Sequence, residues 1–415
     1  MRAQPVDAEP GGKFEVGHVP RPERFAALYI RDFRLFWMGQ LISFSGTWMQ
    51  TTAQGWLVYS LTKSPFYLGM VAAASSLPIM LFTLIGGAVA DRFRKRNMLL
   101  VTQGLSIIPA VLIGLLTSFG VVTVWHVMVL AVFLGTVNAF DIPARQSFLV
   151  EMVQEGNLLN AISLNSAAFN GARIIGPVIA GLIIAQIGLA ACFYLNALSF
   201  LAVIIALSMV RTTGERRMAS GSIIKEIKEG VSFIRLAPEV RRPILLVAAF
   251  SLFGIPFVAL LPVFAEDVLG VGAKGLGFLI GSSGVGALTA AVILASKGEI
   301  GQKHRLMGLS SVVFSIFLFV FSLSGNYYLS MASLLVVGWA VVSFLALANS
   351  SIQLSTPNGM RGRVMSVYTM VFLGMTPIGN SVMGTVADLI GTANAVSAAS
   401  AICLGASLII LSRKR

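Results

Sequence analysis

The chain has 415 residues, of which 56% are hydrophobic and 11% charged, with a formal net charge of +13. That balance excludes an ordinary water-soluble domain, in which charged residues make up about a quarter of the total. The positive charge does not indicate nucleic acid either. All but three of the 30 Lys and Arg residues fall in the N-terminal segment, the C-terminus and every second loop between apolar stretches.

Residues 1–33 are rich in proline and charge and lack the apolar core of a signal peptide, so a cytoplasmic tail is expected. Twelve apolar stretches follow, at 34–60, 65–90, 97–118, 123–143, 162–187, 190–210, 244–265, 275–296, 305–324, 328–350, 363–388 and 392–411. Most are long enough to cross a ~30 Å hydrocarbon core as a helix. The exceptions to the basic pattern are Lys63 and Lys274 in the other set of loops and Arg173 inside the fifth stretch. The positive-inside rule therefore puts both termini in the cytoplasm. The loop charge is also suited to anionic lipid headgroups, so membrane lipids are expected partners.

The first stretch carries Gln40, Ser43, Thr47, Gln50 and Gln54 at alternating spacings of three and four, a polar stripe on an apolar helix. Lipid cannot satisfy such a stripe, so it faces the bundle or a wet cavity. Phe44, Trp48 and Trp56 add aromatic surface beside it. The second stretch ends in Gly86-Gly87-Ala88-Val89-Ala90-Asp91-Arg92-Phe93-Arg94-Lys95-Arg96. Asp91 sits at the negative end of its helix and needs a cation or another helix's N-terminus nearby.

In the fourth stretch Asn138, Asp141 and Arg145 share a face if the helix continues through Pro143; the proline leaves open that it ends there. Asp141 is expected near the cytoplasmic surface, within reach of the 92–96 basic cluster. In the fifth, Ala168, Ala172, Gly176 and Ala180 form a seam of small residues that allows close helix approach. Pro177 takes the hydrogen-bond partner from the carbonyl of Arg173, the one charge near mid-membrane. A cation at that depth must meet water, freed carbonyls or substrate.

The longest polar break, 211–243, contains Ile223, Ile224, Ile227, Val231 and Ile234 at helical spacing with Lys225, Lys228 and Arg235 around them. An amphipathic helix on the cytoplasmic face is expected. Beyond it, Phe250, Phe253 and Phe257 line one side of the seventh stretch, facing either a cavity or the core. Aligning each residue n with n+203 pairs Gly171, Gly176, Gly181 and Gly188 with Gly374, Gly379, Gly384 and Gly391. This repeat implies two six-helix halves with a site between them. The expected organisation is a tail (1–33), a first half (34–210), a central loop (211–243), a second half (244–411) and a basic tail (412–415). The fold class is an all-α membrane protein of twelve transmembrane helices in two pseudo-symmetric halves.

Cys192 and Cys403 lie in apolar stretches and imply no disulfide. His18, His126 and His304 do not converge, and no nucleotide-binding loop or metal-ligand pair occurs, so neither an enzyme nor a cofactor is expected.

The run from Gly87 through Asp91 and Arg92 into Arg94, Lys95 and Arg96 resembles the loop signature of the major facilitator superfamily, with Arg94 where the usual pattern has glycine. Gly176-Pro177 followed by Gly181 is similar to the antiporter motif of its drug/proton exporters, with Ala180 replacing one glycine. Gly46-Thr47-Trp48-Met49-Gln50, Gln54-Gly55-Trp56-Leu57-Val58-Tyr59 and Asp141-Ile142-Pro143-Ala144-Arg145 resemble the branch containing the bacterial enterobactin exporter. The resemblance spans residues 33–411. It implies a monomeric inner-membrane exporter of a small molecule, a siderophore or lipophilic drug, working by alternating access with protons as the counter-ion. It also implies a cavity lined by spans one, four, seven and ten, with Trp48, Gln50, Gln54, Asn138, Arg173, Phe253 and Phe257 as substrate contacts. Gly87, Asp91, Arg92, Lys95 and Arg96 would clamp the cytoplasmic face. Asp141 and Arg145 would gate, with Asp141 the proton carrier, and Gly176, Pro177 and Gly181 would shape a bending helix. An uncoupled facilitator and a non-transporting sensor on the same fold stay open.

Overall fold

Inside a bilayer the backbone must satisfy its own hydrogen bonds, which restricts a spanning chain to helices or closed barrels. The computed structural model describes residues 25–212, 223–296 and 303–412, and every regular element among them is helical. The expected tails at 1–24 and 413–415, and Lys297, lie outside the described residues.

Eleven helices are long and apolar enough to cross a membrane. The remaining span is the first, Arg31–Thr62, whose 32 residues are ample but whose polar stripe lowers its hydropathy. Spans two to six are Pro65–Arg92, Lys95–Ser118, Val124–Glu151, Leu158–Gln186 and Leu189–Met209. Spans seven to twelve are Pro238–Val268, Gly272–Ser296, Lys303–Leu323, Tyr327–Leu354, Asn358–Ile390 and Thr392–Ser412.

Several helices outrun their apolar stretches. Span one begins at Arg31, inside the segment expected to be tail, because Asp32 anchors it. The Asp32 carboxylate accepts from the backbone N–H groups of Arg211 and Thr212 and from the Thr212 hydroxyl, each at 2.9 Å, tying span one to the end of span six. Span four runs through Pro143 to Glu151, which puts Asn138, Asp141 and Arg145 on one continuous helix. Span five likewise continues through Pro177.

Span seven is the irregular one. Its α-helix gives way to a π-helical turn at Phe250–Gly254 and a 3-10 stretch at Ile255–Leu260, with a second π turn at Phe264–Val268. Pro256 and Pro262 supply the cause, since each removes a donor from the helical ladder. The phase of the helix shifts there, and the expected phenylalanine wall is not formed. Phe250 and Phe257 are buried in the second half against Phe314, Phe344 and Phe321, and Phe253 packs on the same core.

The amphipathic helix is present as Ile223–Leu236. Its apolar side lies on span eleven rather than in lipid: Ile234 is buried, Gly230 abuts Arg363, and Glu229 pairs with Arg363 at 2.7 Å.

The two halves meet where span two crosses span eleven and span five crosses span eight. Glycines make both crossings possible, and in matching ways. Gly69 of span two lies against Asn380 and Gly384 of span eleven; Gly277 of span eight lies against Pro177 and Gly181 of span five. Gly176 packs on span one, and its repeat partner Gly379 packs on span seven. The sequence repeat is thus a repeat of contacts. In each case the absent Cβ lets two backbones touch.

Candidate substrate cavity

Between the halves lies a cavity of about 380 Å³. Span one lines it with Thr47, Trp48, Gln50, Thr51 and Gln54, span four with Asn138, span six with Asn196 and span eleven with Thr376 and Asn380. Span seven contributes Ile255, Val258, Ala259 and Pro262, and spans two and eight contribute small and aliphatic residues. Span ten, expected as a wall, supplies no lining residue. No lining residue is charged.

The span-one stripe is held in place by span six. Asn196 donates to Gln50 at 2.6 Å, and Ser199 donates to Asn196 at 2.9 Å. Gly46 permits this: a side chain there would collide with Asn196 and Ser199. Gln54, Asn138 and Asn380 make no side-chain hydrogen bond among the described residues, so their amides are free to meet a ligand. Asn196 and Asn380 escape a reading of the sequence by motif, although an amide inside an apolar span is itself a signal.

Arg173 does not line the cavity. Its guanidinium lies over the Trp48 ring at 5.6 Å and finds no carboxylate among the described residues. Phe169 packs edge-on against both Trp48 and Phe44, at 5.8 and 5.5 Å, and Arg145 lies over Phe44 at 4.8 Å. Two cations and three aromatic rings therefore form one unbroken ladder from the cavity wall to span four.

At the far end of that ladder sits Asp141, 3% exposed. It accepts from Thr102 at 2.7 Å and Gln103 at 2.9 Å, and Arg145 stands 3.7 Å away, one turn along. Arg145 also donates to Gln40 at 3.2 Å. The expected pairing of Asp141 with the 92–96 cluster does not form, because those residues are engaged elsewhere or turned outward. Lys95 is buried and pairs with Glu151 at 2.6 Å, and Arg96 donates to the carbonyls of Leu207 and Ser208 at the end of span six. Arg92 is exposed, and Asp91 has no ion pair among the described residues. A side chain at Gly87 would meet open space, whereas Gly86 packs on the Ala139 carbonyl of span four.

Three polar side-chain contacts, hydrogen bonds and an ion pair, join the halves among the described residues, all at the face away from the basic loops. The Tyr59 hydroxyl donates to Asp267, Lys63 reaches Glu266 at 3.4 Å, and Ser64 donates to Asp388 at 2.7 Å. Toward the basic face a cleft of about 320 Å³ separates Ile79, Thr83 and Leu84 of span two from Gly362, Met365 and Met370 of span eleven.

Twelve helices in two equivalent halves around a central cavity define a transporter of the major facilitator type. The chain matches the family described as transmembrane secretion effectors over residues 23–415, and it belongs to that family within the major facilitator superfamily. It is 24% identical over 389 residues to the staphyloferrin A transporter of Staphylococcus aureus, covering 92% of this chain and 96% of that one. It is 26% identical over 357 residues to the multidrug efflux pump Tap of Mycolicibacterium fortuitum, covering 84% and 87%. With the enterobactin exporter EntS of Escherichia coli it shares 22% over 355 residues, covering 85% and 84%. The crystal structure of the nucleoside transporter NupG has the same fold, with a TM-score of 0.71 at 13% identity over 92% of this chain and 98% of that one.

Proposed function

We propose that this protein exports a small organic molecule across the bacterial inner membrane by alternating access, with protons moving inward as the driving ion. The observation that carries the reading is a largely apolar cavity set with amides and hydroxyls, between two halves that are bonded to each other at one face and parted at the other. The basic loops assign the parted face to the cytoplasm. The conformation is then inward-open, ready to load from inside.

The cavity chemistry narrows the cargo. Free amides and hydroxyls set in apolar walls suit a lipophilic molecule bearing neutral hydrogen-bonding groups. An uncharged lining gives a polyanion little to bind. Catechol-bearing siderophores and lipophilic drugs both satisfy this, in keeping with the siderophore and drug transporters among the relatives.

Asp141 is the fitting proton carrier, being the buried acid among the described residues. The unpaired amide oxygen of Gln103 beside it offers an acceptor for the hydroxyl that Asp141 gains when its charge is lost. Neutralising Asp141 releases Arg145, and the Phe44–Phe169–Trp48 ladder connects that release to the cavity.

Uptake into inside-out vesicles tests the reading. Catecholate siderophores and lipophilic drugs are offered with and without an imposed pH gradient, acid inside the vesicle. Accumulation above equilibrium that collapses with the gradient is the expected result. Equilibration indifferent to pH would make the protein a facilitator, and saturable binding without flux would make it a sensor; either overturns the proposal.

A further inference from the structure

The cycle above gives Arg173 no task, although a cation inside a span is costly unless something answers it. Its guanidinium lies over the Trp48 ring and makes no ion pair or hydrogen bond among the described residues. A guanidinium offers five N–H donors and accepts nothing, so a bare aromatic face leaves most of its capacity unused. Arg145, the other cation of the ladder, is already committed to Asp141 and Gln40.

Glycines fix where this free cation stands. Spans five and eight touch along Gly277, Gly281 and Gly284, which lie in turn against Pro177 and Gly181, Val178, and Ile174. Gly284 also meets the carbonyl of Arg173, whereas the next glycine, Gly286, turns to span ten. Arg173 thus marks the end of this glycine seam nearest the basic face. Further toward that face, Asn170, Ser166 and Ser163 follow at spacings of three, four and three, on the same side of span five. Ser163 and Ser166 are exposed, and Asn170 is half-buried.

The internal repeat tells what that side looks onto. Adding 203 carries Ser163, Ser166, Asn170 and Arg173 to Ser366, Thr369, Leu373 and Thr376 of span eleven. The first three of these line the cleft toward the basic face, and Thr376 lines the cavity. Arg173 holds the equivalent station in the first half, where the inner approach meets the cavity. Trp48 agrees with that placement, since it lines the cavity and also carries the guanidinium, at 5.6 Å.

We propose that Arg173 is an anion subsite for the cargo, receiving the single carboxylate of an amphiphilic organic acid whose apolar body lies in the cavity beside Trp48. A planar carboxylate matches the guanidinium fork with two parallel charge-assisted hydrogen bonds. One free guanidinium neutralises one charge, so a monoanion is accepted where the uncharged lining turns a polyanion away. The subsite presupposes that the cavity holds the cargo, and it adds one negative charge to that cargo.

Equilibrium binding to the full chain in a neutral detergent, with no gradient, tests the subsite. The probes are 2-naphthoic acid, ionised at neutral pH, and 2-naphthamide, its uncharged counterpart of the same shape. The acid should bind at least about tenfold tighter, the yield of one charge-assisted contact. Arg173→Gln should erase the preference and leave amide binding unchanged, which also shows that the variant is folded. Arg173→Lys, which keeps the charge without the planar fork, should retain only part of it. Equal affinity of the unmodified protein for the two probes, or binding of neither, would overturn the proposal. So would an Arg173→Gln protein that still prefers the acid. Export is judged apart from this: gradient-driven uptake of the amide as fast as the acid sinks the subsite and spares export. A preference for the acid without any accumulation does the reverse.

Discussion

Asp141→Asn is expected to abolish gradient-driven accumulation while leaving substrate binding intact, and to cost about 3 kcal/mol of stability. The asparagine oxygen can still accept from Thr102 and Gln103, which share one carboxylate oxygen. The new NH2 group would then face Arg145, which pairs with the other oxygen at 3.7 Å. A half-buried guanidinium without its anion is the source of the loss, and Arg145 retains only Gln40 and the Phe44 ring. Adding Arg145→Leu removes the stranded charge and should restore most of the thermal stability. It should not restore coupling. Vesicle uptake and thermal unfolding, measured on both variants, separate the two effects. Full gradient-driven uptake by Asp141→Asn would remove this residue from the coupling mechanism.

Gly338→Leu is expected to yield no monodisperse protein, and Gly338→Ala to lower the unfolding temperature sharply. Spans eight and ten are joined by a reciprocal pair of glycines. A Cβ on Gly338 would run into the backbone of Ser283, and one on Gly286 into the backbone of Leu335 and Trp339. The obstacle is helical backbone, which cannot rotate aside as a side chain can, so the helices must part. Overpacking of this kind costs about 1–3 kcal/mol and more for a larger side chain. The first half has the same contact: Gly135 lies on Ser75, and Gly135→Ala should behave alike. Gly104, which meets nothing within 4 Å, is the control. Its replacement by Ala should leave the unfolding temperature unchanged or raise it, since Ala is the better helix former. Size-exclusion profiles and thermal unfolding of the four proteins make the comparison.

Much of the fold is legible in the chain because topology and duplication leave statistical marks. The segregation of Lys and Arg marks the alternation of loops, and the glycines 203 residues apart mark the two halves. In the structure two of the four pairs, Gly176 with Gly379 and Gly181 with Gly384, occupy equivalent crossings. The polar stripe of span one is legible for a related reason: an amide inside lipid has nowhere to go but inward.

What is not legible depends on local backbone phase or on distant pairing. A uniform helical period carried through Gly254, Pro256 and Pro262 misplaces the wall of span seven, because the helix changes winding there. The ion pair of Asp141 lies one turn along its own helix and not on the neighbouring basic loop. The three polar contacts between the halves link Tyr59, Lys63 and Ser64 to residues more than 200 positions along, which no local pattern reveals. Charge counting holds the clue. Glu266, Asp267 and Asp388 are the acids of the face away from the basic loops among the described residues, and each one is spent on the other half.

The central claim is that the halves rock about the cavity, with these three contacts holding one end shut. Distances between spin labels at two cross-half pairs test it most directly. Ile187 and Tyr328 report on the latched face, and Leu159 and Val292 on the basic face; all four side chains are exposed. Both native cysteines are buried and do not compete for label. The unmodified protein should show a short latched-face distance and a long basic-face distance. Combining Glu266→Gln, Asp267→Asn and Asp388→Asn should populate a second state in which the first lengthens while the second shortens. Distances that stay fixed, or that lengthen together, would contradict the account.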